Sequence, residues 1–262
     1  MPTKLRAQIA VMRLVTRVLR AVGLREEVIR RRRARAWRRR RAADKDAPLS
    51  HPALHDMDSK LDAVIDRDGG FFVEAGANDG YTQSNTYWLE RFRGWNGILI
   101  EPMSTYVDEC RAQRAATVVR AALVPFDHQG DTVTMRFGDL MSTVAGTHGG
   151  DNDDHDWVQA GLVLGWYDEH EEAVPARTLS SILDEAGAPE VDLLSLDVEG
   201  YEPAVLRGLD LDRHAPRWML IEMHDPEAGR REIGDILGDR YVEHGLLSPL
   251  DMLYRRTDVN PS

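Results

Sequence analysis

The sequence predicts an α/β fold with a mostly parallel central sheet flanked by helices, behind a helical basic N-terminal extension. Three observations predict it. Five apolar runs of strand length recur between residues 71 and 223, and segments of helical length and pattern separate them. The charge also divides sharply near residue 43. Residues 1–43 carry fifteen Lys and Arg against Glu26 and Glu27, a net +13, whereas the remainder carries −24 within a total of −11. A basic arm suits anionic surfaces, while an acidic body repels nucleic acid, so the two parts are read as meeting different partners. Residues 1–50 are taken as the leader and 51–262 as one catalytic domain, since a chain of 262 residues suffices for one well-buried domain.

In the leader, a helix over residues 4–22 places Leu5, Ile9, Met12, Val15, Leu19 and Val22 on one half of its wheel. Arg6, Arg13, Arg17 and Arg20 fall on the other half. Gly23 interrupts the pattern, and RRRARAWRRRR follows at 31–41. Residues 4–41 thus match an amphipathic basic segment for an anionic membrane surface. Docking on the chain's own domain or a solvated tail are the competing readings, and nucleic acid is the least favoured partner.

The strand candidates are FFVEA (71–75), GILIE (97–101), TVVRAALV (117–124), VDLLSLD (191–197) and RWMLIEM (217–223). Their hydrophobicity is continuous rather than alternating, which predicts strands buried on both faces of a parallel sheet. Segments 83–92, 104–114, 178–187, 202–208 and 228–238 read as crossover helices, and YVEHG and DMLYRR as closing strands. Between about 138 and 172 no periodicity emerges, and a loop of that length reads as a lid over the substrate side. Its DNDDHD stretch lacks the glycine and terminal glutamate of a calcium loop.

Ligands of open parallel sheets bind beyond the carboxyl ends of the strands. The first strand runs into EAGANDG, which places Glu74, Gly76, Ala77, Asn78 and Gly80 at such a point. This is not the GxGxxG spacing of a dinucleotide loop, and Glu74 and Asp79 disfavour a pyrophosphate. A cationic ligand with an ammonium and a sulfonium fits that charge better. Glu101, ending the second strand, is suited to accept two hydrogen bonds from a ribose diol. The turn alone reads as readily as a helix start; Glu101 on the next strand end favours the ligand.

The fourth strand ends in LSLDVEGYE, presenting Asp197 and then Glu199, and the fifth in LIEMHD, presenting Glu222, His224 and Asp225. Taken singly, Asp197 reads first as a helix cap or loop brace and His224 as a satisfied imidazole. Their convergence on adjacent strand ends favours a chemical role, with Asp197 or His224 accepting a proton from a hydroxyl. Asp197 and Glu199 with His224 also form a ligand set compatible with Mg²⁺ or Mn²⁺.

Five blocks resemble the FkbM family of methyltransferases: FFVEAGANDGYTQSNTYWLE, WNGILIEP, RTLSSILDEAG, VDLLSLDVEGYEPAVLRGL and WMLIEMHD, together covering roughly residues 68–256. The resemblance implies a Rossmann-like methyltransferase fold, S-adenosylmethionine as donor, and O-methylation of sugars, polyketides or related natural products. It assigns Glu74, Gly76 and Gly80 to the donor loop, Glu101 to the ribose, and Asp197 with Glu199 to the block facing the acceptor. Glu74 departs from the family's commoner Asp, and the Arg-rich leader has no counterpart. The rival reading is a non-catalytic binding or trafficking module on the same fold. An NAD-linked oxidoreductase is disfavoured by the acidic loop and the missing third glycine.

Cys110 is the only cysteine, which excludes an intramolecular disulfide and favours a reducing compartment. No run approaches the roughly 18 apolar residues that span a bilayer. The expected location is cytoplasmic, peripheral on the inner face of the membrane where the leader binds it.

Overall fold

The computed structural model describes residues 25–138, 142–144, 147, 170–223 and 226–259. The expected helix at 4–22, most of the 138–172 loop, His224 and Asp225 lie outside the described residues. The chain runs through α1 (Arg25–Arg41), α2 (Met57–Ile65), β1 (Phe71–Ala75), α3 (Tyr87–Arg93), β2 (Asn96–Glu101), α4 (Ser104–Gln113), β3 (Thr117–Arg120) and β4 (Ala122–Leu123). It continues through β5 (Thr132–Arg136), β6 (Thr143–Val144), β7 (Glu171–Arg177), α5 (Leu179–Ala186), β8 (Leu193–Leu196), α6 (Glu202–Leu206) and α7 (Leu211–His214). β9 (Trp218–Glu222), α8 (Pro226–Leu237), β10 (Tyr241–Leu246) and β11 (Asp251–Arg256) complete it.

Seven strands form the central sheet in the order β10-β11-β9-β8-β1-β2-β3. β9, β8, β1, β2 and β3 pair in parallel, while β11 is antiparallel to both β9 and β10. Continuous apolar sequence is what this arrangement demands, because helices cover both faces. On one face Val73, Ile98, Leu194 and Ile221 pack with Leu183 of α5, Val205 of α6 and Ile233 of α8. On the other, Phe72, Leu99, Leu193 and Leu220 pack with Leu61 of α2, Leu89 of α3 and Cys110 of α4. Each of these buried side chains contributes roughly 2 kcal/mol by leaving water. Alternation along the strands then settles where the acids go: Glu74 shares the face of Phe72, and its register partner Leu99 places Glu101 on that same face.

The chain builds β1, β2 and β3 outward in one direction, then returns to add β8 and β9 on the other side of β1. This reversal opens a crevice beyond the carboxyl ends of β1 and β8. The α/β fold with its mostly parallel sheet is as the sequence indicates, with two differences. TVVRAALV forms two strands rather than one: Arg120 ends the pairing with β2 at Glu101, and Ala122 and Leu123 join β7 in a second sheet of order β4-β7-β5-β6. That second sheet includes β6 and β7, whose residues fall within or just beyond the segment read as a lid.

Helix α1 lies against the body rather than apart from it. Arg33 pairs with Glu109 of α4. Arg91 of α3 donates to the carbonyl of Arg41 at 2.9 Å.

Candidate active site

A cleft opens at the reversal point, lined by the ends of β1, β2 and β8, the loop 76–85, residues 121–123 and Met135. It encloses about 960 Å³ when the space out to its open mouth is included. Its floor is a set of backbone contacts. Gly76 and Ala77 both donate to the carbonyl of Ile100, at 3.1 and 3.2 Å, and Asp197 N donates to Ala75 O at 3.2 Å. Gly76 adopts φ +85°, and a Cβ placed there would stand 1.8 Å from the carbonyl oxygen of Asp197. No residue larger than glycine lets β1 and β8 approach this closely. Asn78, Gln83 and Glu199 also hold positive φ, and all three line the cleft. Strained backbone of this kind persists where its surroundings fix it, and it gathers at ligand sites.

Glu101 is 4% exposed. It accepts hydrogen bonds from the amides of Asn78 and Met103, both at 2.8 Å. Burial pushes its pKa up to about 8; the two amide bonds pull the other way, and the charges of Asp79 and Glu172 reinforce the rise. Its carboxyl therefore ties the 76–80 loop to the end of β2 and faces the cleft.

Glu74 also lines the cleft, but its oxygens are already engaged. They accept from Ser84 Oγ at 2.9 Å, Asn85 N at 2.9 Å and Thr86 Oγ1 at 2.6 Å. The guanidinium of Arg114, fully buried, lies 3.5 Å away and also reaches Gly80 O at 2.8 Å, Thr86 Oγ1 at 2.9 Å and Glu90 at 3.0 Å. Asp79 is likewise turned toward its own loop, accepting from the amides of Tyr81 and Thr82 and pairing with Arg40 at 3.2 Å. The expectation that Glu74 and Asp79 charge the loop against phosphate needs correction, because cations of the protein balance both. Of the four acids that line the cleft, Glu74 is balanced by Arg114, which leaves Glu101, Asp197 and Glu199.

Asn85 is 6% exposed and lines the cleft. Its amide donates to Ser195 Oγ at 3.0 Å, which fixes the orientation, while Oδ1 has no hydrogen-bond partner among the described residues. A buried acceptor in this state costs about 1–3 kcal/mol unless a ligand donates to it.

At the far end, Asp197 hydrogen-bonds with Glu222 of β9, and oxygens of Asp197, Glu202 and Glu222 all lie within 4.8 Å of one another. Burial raises the pKa of Asp197 well above the carboxylate range, with the charges of Glu222 and Glu199 adding to it. Burial likewise brings Glu222 up to about 7. Two carboxyls this close share a proton rather than both ionise. Glu202 is spent differently: its Oε1 accepts from the amides of Val198 at 2.9 Å and Gly200 at 3.1 Å, closing the turn that carries Glu199. The carboxylate trio differs from the Asp197, Glu199 and His224 set expected for Mg²⁺ or Mn²⁺. Glu199 is not in it, and His224 lies outside the described residues.

The model of the methyltransferase FkbM domain matches residues 74–244, well over half of the chain and including every residue that lines the cleft. The chain belongs to the FkbM methyltransferase family. Among curated proteins, none matches its sequence. Membership implies S-adenosylmethionine as donor and a methyl acceptor as substrate. The residues present fit the donor. Asn85 Oδ1 offers an unsatisfied buried acceptor, Glu101 offers carboxyl lone pairs elsewhere in the lining, and Gly76 keeps the floor clear of side chains.

Sequence reasoning missed Asn85, Arg114, Glu202 and Arg40. Only Asn85 had a local signal, its place in the loop after the first strand; the others act across the fold. Glu101→Ala strips two amides of their acceptor, and S-adenosylmethionine affinity measured by calorimetric titration is expected to fall about 10- to 100-fold.

Proposed function

We propose that this FkbM-family protein is an O-methyltransferase acting on a hydroxyl of a sugar, glycolipid, polysaccharide or other natural-product acceptor. The observation that carries the reading is Asp197, which lines the cleft at the end of β8 together with the donor loop and is hydrogen-bonded to Glu222 of β9 behind it. We assign donor binding to Gly76, Ala77, Asn78, Gly80 and Glu101, with Glu74 acting through the segment 84–86 that it holds. When bound, S-adenosylmethionine supplies an electrophilic methyl on a sulfonium sulfur. Asp197 is positioned to accept the hydroxyl proton as the acceptor oxygen bonds to that carbon and the carbon–sulfur bond breaks, its electron pair staying on sulfur. Glu222 sets the proton affinity of Asp197, and Glu199, with Tyr201 beside it, lines the acceptor side. His224 remains a second proposed base. No step is assigned to Mg²⁺ or Mn²⁺. Residues 51–262 form the catalytic domain in this reading, the 138–172 segment is its lid, and residues 4–41 hold it peripherally on an anionic membrane in the cytoplasm. Among the described residues no helix is long and apolar enough to cross a membrane.

A base that shares its proton at low pH works only once that proton leaves. The kcat/KM profile is therefore expected to rise with pH along a limb that lies well above the ordinary carboxylate range, because burial and the charges of Glu222 and Glu199 hold the proton on Asp197. Glu222→Gln removes both the neighbouring charge and the partner that raise Asp197, so the rising limb shifts to lower pH. An unmoved limb would separate Glu222 from the chemistry. The reaction itself is tested by incubating the protein with methyl-labelled S-adenosylmethionine and a glycan and glycolipid extract. Label is expected in an alkali-stable methyl ether. Donor binding without transfer to any acceptor would favour the non-catalytic module.

A further inference from the structure

The Arg-rich helix α1 has two faces with different work. Its inner face reaches the donor loop. Arg40 lies 3.2 Å from Asp79 Oδ2 and 3.1 Å from Gln113 Oε1, with its guanidinium carbon 3.9 Å above the ring of Tyr81. Asp79 is the residue that holds the amides of Tyr81 and Thr82, and Gln113 in turn donates to Asp79 O at 2.8 Å. Arg40 thus closes a knot at the base of the loop whose other end lines the cleft. The outer face is different: Arg35, Arg38 and Arg39 are exposed to solvent. The segment that follows the helix also exposes apolar side chains. The hydroxyl of Tyr81 donates to Leu49 O at 2.7 Å, which brings Leu49, 45% exposed, next to the end of α1. Leu54, 46% exposed, follows in the same segment.

Arginines alone suit any polyanion, but the exposed leucines of the segment that follows them gain only from a lipid surface. We propose that the outer face of α1 seats the protein on an anionic bilayer, while its inner face, through Arg40, positions the S-adenosylmethionine loop. The leader is then part of the donor site rather than a detachable tether. The donor half of this inference rests on the cleft being the donor site.

The test uses the full chain, phosphatidylglycerol and phosphatidylcholine vesicles, and S-adenosylmethionine. Wild-type protein is expected to sediment with phosphatidylglycerol vesicles, less so as salt rises, and not with phosphatidylcholine. Replacing Arg35, Arg38 and Arg39 together by Gln is expected to weaken that sedimentation about 100-fold and leave donor affinity unchanged. Arg40→Gln is expected to keep sedimentation and the melting temperature while losing about tenfold in donor affinity, part of which Arg40→Lys restores. Wild-type sedimentation by the triple variant, equal binding to phosphatidylcholine, or tighter binding to duplex RNA at the same salt would overturn the lipid surface. Unchanged donor affinity in Arg40→Gln would overturn the clamp. Failure of the wild-type protein itself to bind donor would instead strike the donor-site assignment.

Discussion

Asp197→Asn is expected to lower kcat by two to four orders of magnitude, the usual contribution of a positioned base. The substitution keeps size and keeps a partner for Glu222, but an amide cannot take up the acceptor's proton. The position allows little rescue, because Asp197 is fixed by the bond of its amide to Ala75 O, while Glu202 is engaged with the amides of Val198 and Gly200. Donor affinity should change by less than about tenfold, since Glu101 and the loop amides remain. Steady-state rates and calorimetric titration on one preparation check both halves. Equal losses in turnover and donor affinity would instead place Asp197 with the donor. Unchanged turnover would leave His224 as the base.

Gly76→Ala is expected to destabilise the fold by about 4 kcal/mol or more, the range that marks a backbone collision rather than a surface change. Two effects combine. An alanine at φ +85° costs roughly 1–2 kcal/mol by itself, and its Cβ would stand 1.8 Å from the carbonyl oxygen of Asp197. Relief requires β1 and β8 to separate at the floor of the cleft, which moves the donor loop and Asp197 apart, so donor binding should disappear with stability. Gly187, which caps α5 at φ +56° with open space around it, provides the comparison. Gly187→Ala carries only the conformational cost, about 1 kcal/mol, and should bind donor normally. Denaturant titration of the two variants separates strain from collision. Similar losses in both would show that the close approach of Gly76 to Asp197 does not matter.

Much of the fold was legible because buried parallel strands must be continuously apolar. FFVEA, GILIE and RWMLIEM could scarcely lie anywhere but in the sheet, and the strand tips Glu101 and Asp197 followed from counting to the end of each run. The second sheet was hidden for the opposite reason. EEAVPAR, at 171–177, carries three charges and a proline, as a partly exposed strand can, and no periodicity sets it apart from a loop. TVVRAALV reads as one strand because residue type does not say where a partner ends; the break at Ala121 exists because Arg120 is the last residue opposite β2.

The site was legible in position but not in orientation. Glu74 was visible as an acid near a glycine turn, yet strand alternation places it with Phe72, toward α3, where Ser84, Asn85, Thr86 and Arg114 absorb its charge. Arg114 sits 40 residues away at the end of α4 and Arg40 in the leader, so nothing local joins them to the loop they hold. Glu222 was noted only as a neighbour of His224; its pairing with Asp197 depends on β8 and β9 being adjacent and in register.

The account stands on the donor entering the cleft between β1, β2 and β8. Calorimetric titration of the full-length protein with S-adenosylmethionine tests this most directly. Saturable binding of one donor per chain is expected, competed by the demethylated product and strongly weakened in Glu101→Ala. An absence of heat up to millimolar donor, or binding that Glu101→Ala leaves untouched, would contradict it.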